Sequence, residues 1–191
     1  MNVLVAYAGA HDSAAGVAEQ IADRLLKSGF AATARPVGRV DSLQSYRAVV
    51  LGSPIHHRAW LAEATDFLDG FAGELTKLPV WLFSTGSVGD ASFVGPQPTK
   101  LIRSARQGHG DVTSARDSIH FRDHRSFASR LERAAWSVLG DLFLKVCGAV
   151  PGDYRDWHEI NEWAAGIARE LQVIDHVKER RRLHVSVRGK P

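Results

Sequence analysis

The spacing of hydrophobic and polar positions changes period several times along the chain, and each change marks an element. Residues 3–7, VLVAY, form a short, almost wholly apolar run, the pattern of a strand buried on both faces of a parallel sheet. From Val17 the spacing turns helical: Val17, Ala18, Ile21, Ala22 and Leu25 share one side, while Glu19, Gln20, Asp23 and Arg24 point elsewhere. Gly29 follows Ser28 where a C-terminal glycine ends such a helix. Residues 31–37 alternate weakly as a second strand closed by Pro36, and Val40, Leu43 and Tyr46 predict only a short helical connection. Residues 48–53, AVVLGS, are a strong buried-strand signal. Trp60, Ala64, Phe67, Leu68 and Phe71 then give a second amphipathic helix, and 78–84, LPVWLFS, a fourth apolar strand.

Beyond Gly89 the pattern loosens. Residues 91–110 contain Gly95, Pro96, Pro98, Gly108 and Gly110, with one helical turn predicted at 100–106. Residues 112–119 read as a helix and 121–129, FRDHRSFAS, as a polar fifth strand. A helix over 131–146 lines up Leu131, Ala134, Ala135, Val138, Leu139, Leu142 and Val146. Pro151 and Gly152 break the chain, and a last helix over 157–171 turns Ile160, Trp163, Ala164, Ile167 and Leu171 inward. Apolar strands separated by helices make βαβ units, hence a parallel sheet with helices on both faces. Right-handed crossovers then leave only a few doubly wound topologies.

Composition narrows the class. A chain of 191 residues, 45% apolar and 24% charged, is that of one soluble globular domain with a full core. No apolar run approaches bilayer length, and no basic region precedes a cleavable apolar segment. Cys147 is the only cysteine, which excludes an internal disulfide and makes a cytoplasmic location the default expectation. The net charge of +3 comes from the end: residues 174–191 hold six Lys/Arg against two acids, leaving 18 basic and 19 acidic groups elsewhere. That distribution gives no basis for a nucleic-acid-binding fold.

Three loops leave the carboxyl ends of the first, third and fourth strands, where ligands of such sheets bind. The first, 8–14, is a turn of small residues feeding a helix N-terminus, whose unpaired N–H groups can hold a phosphate. It reads equally as an ordinary turn capped by Asp12. The second, 52–61, is GSPIHHRAWL. His56 and His57 make a poor metal pair, since adjacent side chains rarely converge, and solvated loop histidines are the plain alternative. The third, 84–90, is STGSVGD, in which Gly86 and Gly89 permit close backbone approach to a planar ligand. The run 152–157, GDYRDW, opens the last helix, with Asp153 or Asp156 as N-cap and Arg155 beside an acid.

These motifs resemble those of the flavodoxin-like family, and within it the flavodoxin-domain branch that includes menaquinone-dependent protoporphyrinogen oxidase. Members of that branch read YAS-x-HGST at the first loop. This chain keeps Tyr7, Ala8, His11 and Ser13, but has Gly9 and Ala14 in place of hydroxyl residues and Asp12 in place of glycine. Relatives read close to GS-x-[VI]-Y-x-G-x-WL at the second loop, so that His56 stands for an aromatic and Arg58 for a glycine. They read S-[ST]-G-P-x-GD after PVWLFS at the third, and GDFRDW before the last helix.

The resemblance implies a flavodoxin-like three-layer α/β/α sandwich over residues 1–172, with a parallel five-stranded sheet of order 2-1-3-4-5. A helical insertion at about 130–150 and a basic tail at 173–191 complete the expected organisation, the tail either adding a strand at 183–187 or staying disordered. It implies flavin mononucleotide (FMN) as cofactor. Gly9, Ala10, His11, Asp12, Ser13 and Ala14 would surround the phosphate. Ser53, Pro54, Ile55, His56, His57, Arg58 and Trp60 would flank the ring on one side, and Ser84, Thr85, Gly86, Ser87, Val88, Gly89 and Asp90 on the other. No residue reads as a general base, nucleophile or metal ligand; the flavin does the chemistry.

The implied function is an FMN-dependent oxidoreductase acting between a small planar redox substrate and a quinone or other acceptor. Two alternatives stand beside it. One is a flavodoxin-type electron carrier, although such carriers are usually strongly acidic and this body is neutral. The other is a binding or regulatory module that has lost FMN, the reading favoured by Gly9, Asp12 and Ala14. Trp136, Phe143 and Cys147 add a second apolar strip to the inserted helix. It either packs on the sheet or a homodimer partner, or makes a peripheral membrane or substrate contact.

Overall fold

In a computed structural model, the structure describes residues 1–9, 13–56, 59–86, 119–128, 130–131 and 152–188. In chain order the elements are β1 (Asn2–Tyr7), α1 (Ser13–Lys27), β2 (Ala31–Pro36), a 3-10 turn (Val37–Arg39), β3 (Ala48–His56), β4 (Ala59–Trp60), α2 (Ala62–Gly70), α3 (Ala72–Leu75), β5 (Val80–Gly86), β6 (His124–Ala128), β7 (Arg130–Leu131), β8 (Gly152–Asp153) and α4 (Trp157–Arg188). Strands β2, β1, β3, β5 and β6 lie side by side in that order, each pair parallel, and β4 folds back antiparallel on the end of β3. Numbered among the parallel strands alone, this is the expected 2-1-3-4-5 winding of a flavodoxin-like sandwich.

Side chains alternate across the sheet, and both faces are buried. Val3, Val5, Val50, Trp81, Phe83 and Phe127 pack against Val17, Ile21 and Leu25 of α1 and Ile160, Trp163, Ile167 and Leu171 of α4. Leu4, Ala6, Val49, Leu51, Val80 and Leu82 pack on the other face against Phe67 and Leu68 of α2, Leu75 of α3 and Trp60. This double burial is why the central strands read as continuous apolar runs rather than as alternating ones.

Several boundaries differ from those the pattern predicts. Helix α1 begins at Ser13, before its period becomes visible, because small residues such as Ala14 and Gly16 in its first turn carry little amphipathic signal. Trp60 is not the first residue of a helix; it pairs with Ile55 in β4, and the helix splits after Gly70 into α2 and α3. β6 is polar because it is an edge strand: of its five residues only Phe127 is buried. Leu131, expected to open a helix, instead pairs with Gly152 in the two-stranded ladder β7–β8. Helix α4 does not stop at Leu171 but runs to Arg188, so 183–187 is neither strand nor disordered chain. No glycine or proline interrupts the sequence between Leu171 and Arg188, whereas Gly189 and Pro191 follow. The helix expected at 100–106, and residues 112–118 and 132–146 of those expected at 112–119 and 131–146, with Trp136, Phe143 and Cys147, lie outside the described residues.

Candidate functional site

The carboxyl ends of β1, β3 and β5 form a stepped rim. Tyr7, Gly52 and Phe83 share one row of the sheet, and β1 ends there. β3 and β5 continue side by side through the pairs Ser53–Ser84, Pro54–Thr85 and Ile55–Gly86. Among the described residues, these three further strand positions leave a step in the sheet edge, the notch, on the order of 10 Å above the end of β1. It lies where the winding of the sheet reverses, the place such folds use for ligands.

The β1 side of the notch is built from backbone. The Ala8 N–H donates to the Gly52 carbonyl at 2.9 Å, extending the β1–β3 ladder by one bond. Gly9 then takes φ of 78°, a left-handed conformation that turns the chain away from the sheet and suits glycine. Its N–H donates to Oε1 of Glu63, in the first turn of α2. This carboxylate complements the α2 dipole and answers the loop donor at once. Ala14, in the first turn of α1, is fully buried in the core. Along the same helix, Nη1 of Arg155 rests against Gly16. The guanidinium reaches that place already paired: Nε and Nη2 donate to the Asp153 carboxylate at 2.8 and 2.6 Å, and its plane covers Trp157 at 4.3 Å.

The β5 side is built from side chains. β3 and β4 form a hairpin whose base is closed by Ser53, which is fully buried; its Oγ donates to the Pro54 carbonyl and accepts the Leu61 N–H. Trp60 Nε1 donates to Ser84 Oγ at 2.8 Å, and Ser84 Oγ shares a 2.9 Å hydrogen bond with His124 Nε2. The His124 N–H donates to Asp123 Oδ1, whose Oδ2 accepts from Trp163 Nε1 at 2.7 Å on the other face of the sheet. Ser53 and Ser84 therefore use their hydroxyls inside the protein. Thr85 does not: its Oγ1 is buried, with no partner among the described residues. Next to it, nothing among the described residues lies within 4 Å of where a Cβ on Gly86 would point.

Gly52 belongs to the core rather than to the notch floor. A Cβ there would meet the Phe83 ring, which packs in turn with Phe127 and Trp163 at centroid distances of 6.3 and 6.4 Å. A separate groove of about 270 Å³ lies under α4, lined by Trp81, Asp123, Arg125, Glu162 and Arg169 among others. Charges of both signs face it, Arg125 and Glu159 at 3.6 Å included.

Of the residues expected at the site, Gly9, Ser53, Pro54, Ile55, His56, Trp60, Ser84, Thr85 and Gly86 lie on this rim or directly beneath it. His56 pairs with Ala59 across the hairpin. The backbone of Ser13 and all of Ala14 are in α1. Ala10, His11, Asp12, His57, Arg58, Ser87, Val88, Gly89 and Asp90 lie outside the described residues. Sequence reasoning missed Glu63, which reads only as a first-turn acid, and the coupling of Trp60, Ser84 and His124. Asp156 does cap α4, accepting the N–H groups of His158 and Glu159 at 3.0 Å, and Arg155 does pair with an acid. Among the described residues no three His, Cys, Asp or Glu side chains gather as a metal site, and no helix is long and apolar enough to cross a membrane.

The family model described as flavodoxin domain matches residues 4–100, just over half of the chain. The chain belongs to the flavodoxin domain family. Its fold is also that of solved flavodoxins. A short-chain flavodoxin associated with a non-canonical PDU bacterial microcompartment superposes with a TM-score of 0.56 at 14% identity, covering 89% of this chain and 98% of that one. A flavodoxin from the domain Archaea gives 0.54 at 13%, covering 90% and 99%. The rubredoxin oxygen:oxidoreductase of Desulfovibrio gigas gives 0.52 at 16%, covering 90% of this chain but 36% of that larger one. No curated protein sequence matches the chain.

Against this flavodoxin frame the two halves of FMN fit differently. Along the rim made by the β3–β4 hairpin and the end of β5, the Thr85 hydroxyl has no partner and nothing lies against the Cβ position of Gly86 among the described residues. Of the described residues at the phosphate half, Gly9 has its N–H taken by a carboxylate and Ala14 buries its methyl in the core.

Proposed function

We propose that this flavodoxin-domain protein is a flavin-dependent oxidoreductase, with the ring of its flavin seated on the rim formed by the β3–β4 hairpin and the end of β5. A bound flavin supplies the redox chemistry; the chain orients it and shields one edge from water. The observation that carries this reading is the buried, unpartnered Thr85 hydroxyl beside Gly86, since a buried polar group without a partner is destabilising unless something meets it. The finer assignment is electron transfer from a small planar donor to a quinone or other acceptor. It is supported by the likeness of PVWLFS and GDYRDW to the protoporphyrinogen-oxidase branch.

The test is a visible spectrum of the purified chain before and after adding flavin, read again after gel filtration. Retained flavin bands are expected, followed by oxidation of the anaerobically reduced protein on adding menaquinone, or by reduction of the oxidised protein with protoporphyrinogen. Retention without either reaction leaves the electron-carrier reading. The binding-module reading is favoured by one observation, the Glu63 carboxylate on the Gly9 N–H, and absence of retained flavin, together with restored binding in Asp12→Gly/Ala14→Thr, would favour it over the redox readings.

A further inference from the structure

We infer that the flavin selected here lacks a terminal phosphate: the ligand class is a neutral isoalloxazine with an unesterified polyol chain, such as riboflavin. This rests on the reading of the notch as a flavin site and concerns only which flavin it takes.

Three features at the β1 end oppose a phosphate ester. The Gly9 N–H points at a carboxylate, so a phosphate carrying roughly two negative charges at neutral pH would have to displace Glu63 and then sit beside it. Of the three loop positions where the resembled branch carries a hydroxyl, only Ser13 keeps one; Gly9 has no side chain and the Ala14 methyl is buried in the core. The Arg155 guanidinium against Gly16 is neutralised by its two bonds to Asp153. A polyol has the opposite requirement. Its hydroxyls donate, and the exposed Glu63 carboxylate keeps acceptor sites after taking one N–H. Charge-assisted O–H to carboxylate bonds are short and favourable. At the ring end nothing distinguishes the two ligands, because Thr85 and Gly86 meet the isoalloxazine, which both share.

The experiment is a flavin-fluorescence titration of the full chain and of Glu63→Gln and Glu63→Ala with riboflavin and with FMN. The wild-type chain is expected to bind riboflavin about tenfold more tightly than FMN, the order of effect of one like-charge contact at a solvent-accessible site. Glu63→Gln, which keeps the shape and removes the charge, should reduce that ratio roughly tenfold, mainly by tightening FMN. Glu63→Ala should weaken riboflavin while relieving FMN. Glu63 is exposed, so far-UV circular dichroism should be unchanged in both variants. FMN binding at least as tightly as riboflavin to wild type, or a ratio untouched by both substitutions, overturns the inference and leaves the flavin function standing. Binding of neither flavin to the folded wild-type chain overturns the flavin function, and the inference with it.

Discussion

At the β1 end of the notch a backbone donor, the Gly9 N–H, is already answered by Glu63, whereas at the β5 end the buried Thr85 hydroxyl has no partner among the described residues. Among the described residues the β1 end thus holds an answered donor and a carboxylate, and the β5 end an unanswered hydroxyl. Ligand binding gains most where it supplies a missing partner and least where it must first remove one.

The largest way to break this comparison is to remove the floor they share. Trp163→Ala deletes a ring packed on Phe83 and Phe127 and leaves Asp123 without the indole donor. A loss of about 3–5 kcal/mol is expected, read as a lower urea midpoint, with both ends affected alike. Gly52→Ala forces a methyl against the Phe83 ring and should destabilise by about 1–3 kcal/mol, measured in the same way. Ser84→Ala takes the acceptor from Trp60 Nε1 and one hydrogen bond from His124 Nε2. It should lower stability by about 1–3 kcal/mol and change the tryptophan emission, an effect confined to the β5 end.

Smaller changes sharpen the contrast. Thr85→Val replaces the orphan hydroxyl by a methyl of similar shape, so the ligand-free protein should gain about 1 kcal/mol while flavin affinity falls. A loss of stability on this change would mean that the hydroxyl is already partnered and that the β5 end is not waiting for a ligand. Glu63→Gln should alter ligand-free stability by no more than about 0.5 kcal/mol, because the residue is exposed. Combined, Thr85→Val and Glu63→Gln should add to within about 0.5 kcal/mol if the two ends are independent; a larger deviation would show coupling across the notch.

Much of the fold was legible in local pattern. Runs such as AVVLGS and PVWLFS are long, apolar and β-branched or aromatic enough to require a doubly buried strand, and the Ile21–Leu25 and Ile160–Leu171 faces require helices over them. The rim itself was legible too, because strand ends in a parallel sheet place Gly9, Ser53 and Thr85 on one side whatever their partners. What pattern could not reach was the use of each polar group. Trp60 read as a helix face because its spacing to Ala64 is helical, yet its indole reaches Ser84 and its backbone pairs with Ile55.

The sequence alone thus determined the layers and, through periodicity and the handedness of βαβ crossovers, a few possible windings, among which the resemblance to flavodoxins selected one. Tertiary structure decided the chemistry of the rim. Glu63 is 54 residues from Gly9, and His124 is 40 from Ser84. Whether a donor is free or answered depends on such distant contacts, which no local spacing encodes. For that reason the likeness of the loops pointed to a phosphate, while the folded chain set a carboxylate at the first of them.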